Sequence, residues 1–153
     1  MTATAHALVG GAIAASIPNP VVGVSLAFIS HPILDLIPHW DFGLGWRGKN
    51  KFTLFLESSL DLLLGLTLAF FIFGKGVEPI YFLVAIFASE IWDILMMPYL
   101  LFNWKVAPFK TVYNFQHTIQ KKAKATFFWG ILTQIGTVYA TVLLLRMLPQ
   151  VAH

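Results

Sequence analysis

The sequence predicts an all-α, polytopic membrane helical bundle: a short N-terminal helical hairpin followed by three transmembrane helices. Three observations carry this expectation. Apolar residues make up 58% of the chain and aromatic residues 15%, against an apolar share of about 45–50% in soluble domains. The apolar residues gather in long runs, with a mean hydropathy of +0.75. The basic residues gather instead in two polar connections between those runs. The 153 residues suit a single domain, 1–153.

The hairpin is expected over residues 3–37. Its first arm, 3–17, is rich in alanine and holds Gly10 and Gly11, small residues that let helices approach closely in lipid. Pro18-Asn19-Pro20 breaks the run, because each proline biases the residue before it away from helix. The second arm is 21–37. Arms of this size reach about 22–27 Å at 1.5 Å per residue, short of the roughly 30 Å of a bilayer core. A tilted or re-entrant hairpin fits that length.

Residues 38–51, with three glycines and three basic residues, read as a loop. The spans are expected at 52–73, 80–102 and 125–148, with Pro79 suited to a first helical turn and Pro98 placed to kink the second span. Residues 103–124 read as a second long loop. Its basic run Lys121-Lys122-Ala123-Lys124 fits a juxtamembrane anchor to anionic lipid.

Loop charge sets the orientation. Arg47, Lys49 and Lys51 mark the first loop and five lysines the second, whereas the connection at 74–79 holds only Lys75. Two spans separate the basic loops, so both lie on one side, and the positive-inside rule makes that side cytoplasmic together with the N-terminus. The net charge of +3 and pI near 9.3 are thereby assigned to lipid-facing loops, and no nucleic-acid partner is expected. No basic segment precedes the first apolar run, so no cleavable signal peptide is expected. The absence of cysteine excludes disulfides, thiolate metal sites and cysteine nucleophiles.

Against this apolar background stand His31/Asp35, His39/Asp41, Glu57/Asp61 and Glu90/Asp93, with His6 before them and His117 after. A carboxylate at a helix centre costs about 2.5–3.5 kcal/mol on insertion scales, so an intramembrane ionisable residue reads first as functional. Residues three or four apart share a helix face. Three of these pairs therefore present two ligands each from one helix, as bundle metal sites do. Depths agree as well. Glu57 and Asp61 lie about 9 and 15 Å in from Lys51, and Asp93 about 17 Å from Trp104, so all can converge on one cavity in the basic half of the bundle. Nitrogen and oxygen ligands without thiolate suit catalytic zinc, or manganese or iron. His6, His31, Asp35, His39, Asp61 and Asp93 are the expected metal ligands, for one or two ions. Glu57, Asp61 and Glu90 are the expected catalytic groups. No phosphate-binding glycine loop, nucleophile elbow or zincin motif is present.

Thr4-Ala5-His6, followed by Ser30-His31-Pro32-Ile33-Leu34-Asp35 and Pro38-His39-Trp40-Asp41, resembles the small membrane-bound metal-dependent hydrolases of the YdjM type. That group is related in motif style to zinc-dependent phospholipase C. The resemblance covers residues 1–41 and implies His6, His31 and Asp35 as ligands. It also implies hydrolysis of phosphoester or lipid-like substrates by a metal-activated water in a prokaryotic inner membrane. The expected partners are membrane lipid and a small phosphoester or lipid substrate. Two other classes are compatible with the residues. Paired intramembrane carboxylates also serve small ion- or proton-coupled transporters, and a catalytically silent scaffold could keep the same ligands. Glu57/Asp61 and Glu90/Asp93 can each be proton-sharing pairs, and His117 can be a surface residue.

Overall fold

A computed structural model describes residues 1–121 and 123–148. Among the described residues it contains no strand and six α-helices: α1 (Ala3–Ser16), α2 (Pro20–Leu34), α3 (Lys51–Phe73), α4 (Pro79–Phe102), α5 (Phe109–Gln120) and α6 (Phe127–Arg146). Helices α3, α4 and α6 are long and apolar enough to cross a membrane, and α1 and α2 are shorter apolar helices of 14 and 15 residues. The protein is an integral membrane helical bundle with an N-terminal hairpin.

Local chemistry sets the hairpin. The Thr2 side chain accepts from the Ala5 amide and caps α1. Asn19 accepts from the amides of Val21 and Val22 and caps α2, whose first residue is Pro20. These are the side chains and the proline position that satisfy a helix start. Pro32 lies inside α2 and removes the amide that would bond the Phe28 carbonyl. The Trp92 indole nitrogen of α4 donates to that carbonyl instead, at 3.0 Å. In lipid no water is present to do so.

Helix α1 lies at the centre, packed against α2, α3, α4 and α6. It is apolar all round and buries Ala5, Ala7, Val9 and Ile13, as an enclosed helix does. Helix α3 is its opposite: it buries only Leu54, Gly65 and Ala69 and turns Leu60, Leu63, Phe70 and Phe71 outward. That outward face is the lipid-facing one. Close approach, rather than hydrophobic exclusion, joins such helices. A Cβ on Gly65 would lie 2.7 Å from the Thr4 Cα, and one on Gly10 would lie 2.6 Å from Ser89 Oγ. Glycine at these two positions brings α1 against α3 and α4.

The segment 103–124, expected as a loop, contains α5. Tyr113 and Gln116 face inward while Lys110, Asn114 and Thr118 are exposed. One narrow face with a polar residue on it does not register as an apolar run, which is why composition points to a loop. Lys122 of the basic run lies outside the described residues. Asn103 ends α4 in the left-handed region, at φ 57°.

The two basic connections meet at one end of the bundle. The His39 amide donates to Ala123 O at 2.7 Å, the Ala125 amide to His39 O at 3.0 Å, and Arg47 Nη2 to the Tyr113 hydroxyl at 2.9 Å. Gly65→Leu should destabilise the detergent-solubilised protein by about 1–3 kcal/mol through overpacking. Thermal unfolding followed by circular dichroism should show the loss, with Leu64→Ala on the lipid-facing side as the milder control.

Candidate metal centre

The hairpin and α4 bring the site together. Because α2 runs back along α1, the start of α1 and the end of α2 lie at the same end. His6 sits in the first turns of α1. His31 and Asp35 stand one turn apart at the end of α2, and Ser89, Glu90 and Asp93 face them from α4. His6, His31 and Asp35 are fully buried.

His31 is oriented by backbone. Its Nδ1 lies 2.5 Å from Ser89 O. A carbonyl only accepts, so Nδ1 carries the proton, and in the neutral form of the ring Nε2 is the nitrogen with the lone pair. That Nε2 is buried and makes no hydrogen bond among the described residues. It faces Asp35 Oδ2 at 3.4 Å and Asp93 Oδ1 at 3.6 Å. A lone pair and two carboxylates converging in an apolar bundle require a proton or a cation between them. The separations match a cation: ligand atoms bonded at 2.0–2.2 Å in a tetrahedron lie about 3.3–3.6 Å from one another.

His6 adds to the same centre. Its ring stacks on that of His31, with centroids 3.7 Å apart and planes inclined by 11°. His6 Nε2 is 3.2 Å from Asp35 Oδ1, and its buried Nδ1 has no hydrogen-bond partner among the described residues. Ligand atoms of His6, His31 and Asp93 all lie within 4.8 Å of one another, so this group could hold a metal ion.

Asp35 is surrounded by donors. Gln116 Nε2 and Gln120 Nε2, one turn apart on α5, donate to Oδ2 at 3.0 and 2.9 Å, and the Met1 amino nitrogen donates to Oδ1. Such outer contacts hold a ligating carboxylate in orientation. Ser89 ties the set together, since its carbonyl orients His31 while its hydroxyl donates to His6 O at 3.0 Å.

The remaining candidates are distributed unevenly. His39 is buried beside Asp35 and Asp41, held by its backbone bridge to 123–125. Glu90 is buried, its Oε1 has no partner among the described residues, and it lines a cavity of about 440 Å³ together with Asp41, Asp61 and Asp93. Asp61 is directed elsewhere. It accepts from the amides of Ala3 and Thr4, at 2.6 and 3.3 Å, and from the Thr4 hydroxyl at 2.7 Å. Those bonds cap the N-terminus of α1, where a carboxylate also complements the helix dipole. The structure does not bring Glu57 to the cluster: it pairs with Lys49 at 2.5 Å, on a partly exposed surface. Spacing placed Glu57 and Asp61 on one helix face but said nothing of their partners. Ser89, Gln116 and Gln120 were absent from the expected site. The spacing of the two glutamines, four apart beside Tyr113, is a signal that could have found α5, whereas nothing in the sequence marks the Ser89 carbonyl.

The cavity runs from Glu90 and Asp93 between α3 and α4 toward α5 and the first loop, with Leu54, Phe55, Met97 and Leu100 as apolar wall. Arg47, His117 and Lys124 also line it. Compared with family models, with curated proteins and with solved structures, this chain has no match.

His117 reports the charge at this end of the cavity. Partial desolvation, followed by the nearby Lys124, Arg47 and Lys121, lowers the pKa of its imidazole. Its NMR titration midpoint should lie below the ordinary value of about 6.5. Arg47→Gln or Lys124→Gln should move it upward, because each removes a cation that opposes protonation. A midpoint unmoved by both substitutions would show that the cations do not reach the ring.

Proposed function

We propose that this protein is a metal-dependent membrane hydrolase of phosphoester or lipid-like substrates. One observation carries the reading: with Nδ1 committed to Ser89, the buried His31 Nε2 makes no hydrogen bond among the described residues and is aimed at Asp35 and Asp93 at ligand-edge distances. The resemblance of residues 1–41 to YdjM-type hydrolases points the same way.

His6, His31 and Asp93, with Asp35, would hold the ion, and the nitrogen and oxygen donor set suits zinc, with manganese or iron as alternatives. A divalent ion at such a site supplies a water of lowered pKa and positive charge for the developing oxyanion. The protein's own residues do the rest. Asp93 belongs both to the ligand group and to the cavity wall, so a substrate in the cavity meets the site there. Glu90, buried beside it with an oxygen that has no partner among the described residues, would accept a proton from the attacking water. The apolar wall between α3 and α4 suits a hydrocarbon chain entering from the bilayer. Arg47 and Lys124 give its phosphate an electrostatic partner. The charge of its two loops favours a cytoplasmic basic end, and the resemblance of residues 1–41 favours a prokaryotic inner membrane.

Detergent-purified protein should carry at least about one equivalent of a transition metal per chain, and His31→Ala should remove it. Less than about half an equivalent, indifferent to His31→Ala, would sink the proposal. Glu90→Gln should keep the metal while lowering hydrolysis across a phosphoester panel by roughly 10²–10⁴-fold, the range for losing a general base. Flux into proteoliposomes that depends on Glu90, with no hydrolysis, would favour a transporter.

Substituting Gln116 and Gln120 together by leucine should weaken metal affinity by about 10–100-fold, as loss of outer-shell bonds does. Competition with a chromophoric chelator measures it directly.

A further inference from the structure

The cavity beside the metal centre carries opposite charges at its two ends. Its carboxylates are committed to the cluster and to α1: Asp93 faces His31, Asp41 faces His39, Asp61 caps α1, and Glu90 is buried one turn from Asp93. Arg47, His117 and Lys124 line the other end. Among the described residues neither Arg47 nor Lys124 has a carboxylate within ion-pair distance. Both lie near enough to His117 to oppose its protonation. Two cations without a counter-charge in the chain favour an anion from outside it.

Arg47 is held in place. Its guanidinium carbon lies 4.9 Å from the Trp46 ring centroid, and Nη2 donates to the Tyr113 hydroxyl at 2.9 Å. Trp46 meets Tyr99 and Tyr113 edge-on, and Tyr99 stacks on Tyr113 at 4.1 Å. His117 also stacks on Tyr113, with centroids 5.5 Å apart and planes inclined by 11°. One aromatic platform thus fixes both the guanidinium and the imidazole. Stacking and one hydrogen bond leave the guanidinium further donors, in the planar fork that suits a phosphate. Lys124 is positioned by its backbone, which is bridged to His39 through Ala123 and Ala125.

Helix α5 sets how far this end stands from the metal centre. Gln116 and Gln120 hold Asp35, and Tyr113, three and seven residues earlier, holds Arg47. At 1.5 Å per residue those offsets are about 4.5 and 10 Å along the helix. A phosphoryl group at the metal leaves Arg47 to another group of the same molecule. We propose that Arg47, His117 and Lys124 form a subsite for a second phosphate, so that the substrate is an amphiphile with two phosphate groups, one reaching Asp93 and one bound here.

This inference rests on the hydrolase reading above for the first phosphate, and the experiment separates the two. The full-length protein in detergent is stripped of metal with chelator and titrated with inorganic phosphate, with chloride at matched ionic strength as control. The His117 NMR signal reports occupancy. Phosphate, unlike chloride, should raise its titration midpoint, because a neighbouring anion favours the protonated ring. Arg47→Gln and, independently, Lys124→Gln should weaken phosphate binding by about tenfold, the loss of one hydrogen bond to a charged group. The Lys124 side chain is exposed, so that variant guards against a folding defect in the first. An equal response to chloride, or a response indifferent to both substitutions, overturns the subsite. Binding of an alkyl monophosphate and an alkyl diphosphate of the same chain length is then compared on the metal-loaded protein. Wild type should prefer the diphosphate, and Arg47→Gln should shrink that preference by about tenfold. A preference absent in wild type, or undiminished in the variant, overturns the two-phosphate substrate. A phosphate response in a protein that takes up no metal overturns the hydrolase reading, and the two-phosphate substrate with it, while the anion subsite stands.

Discussion

Burying the Asp35 carboxylate in an apolar bundle is the constraint from which the rest of this structure follows. An unpaired ion in such surroundings costs several kcal/mol even after relaxation, and the protein answers from four directions. The start of α1 brings His6 and the Met1 nitrogen, α2 brings His31, the first loop brings His39, and α5 brings two glutamine amides. Each element that touches Asp35 is thereby held in relation to the others. The hairpin, the two connections and α5 form one end of the molecule because they share this group.

The approach of those elements depends on small side chains. Helix α1 can stand in the middle of the bundle only because Gly65 on α3 and its own Gly10 remove the Cβ atoms that would hold the helices apart. With α1 so placed, its exposed amides meet Asp61, which caps them, and His6 meets His31 face to face. Packing at the centre and chemistry at the end are one arrangement. Toward the basic end the cavity beside Glu90 and Asp93 lies between α3 and α4.

The spans, the hairpin and the shared side of the two basic loops were legible in the sequence, because lipid rewards long apolar runs and loop charge separates from them. The i, i+4 relation of His31 and Asp35 was legible for a similar reason, since helix periodicity alone puts them on one face. Glu57 and Asp61 have the same spacing, yet one pairs with Lys49 and the other caps α1. Periodicity says which residues share a face but not what that face meets. Helix α5 went unseen because its inward face carries glutamine where an apolar residue would have announced it.

By itself the sequence determined that this is a membrane bundle, that its ionisable residues are few, and that they gather toward one end. Those are properties of local composition and helical period, which act over a few turns. Only the tertiary structure decided which of those residues share a centre. Helix rotation, the depth of α1 and the docking of α5 are set by contacts between segments far apart in the chain. Ser89 contributes a carbonyl to His31, and the Ile37 carbonyl does the same for His39. Backbone atoms of this kind leave no mark on composition, yet they decide which nitrogen of each ring carries the proton.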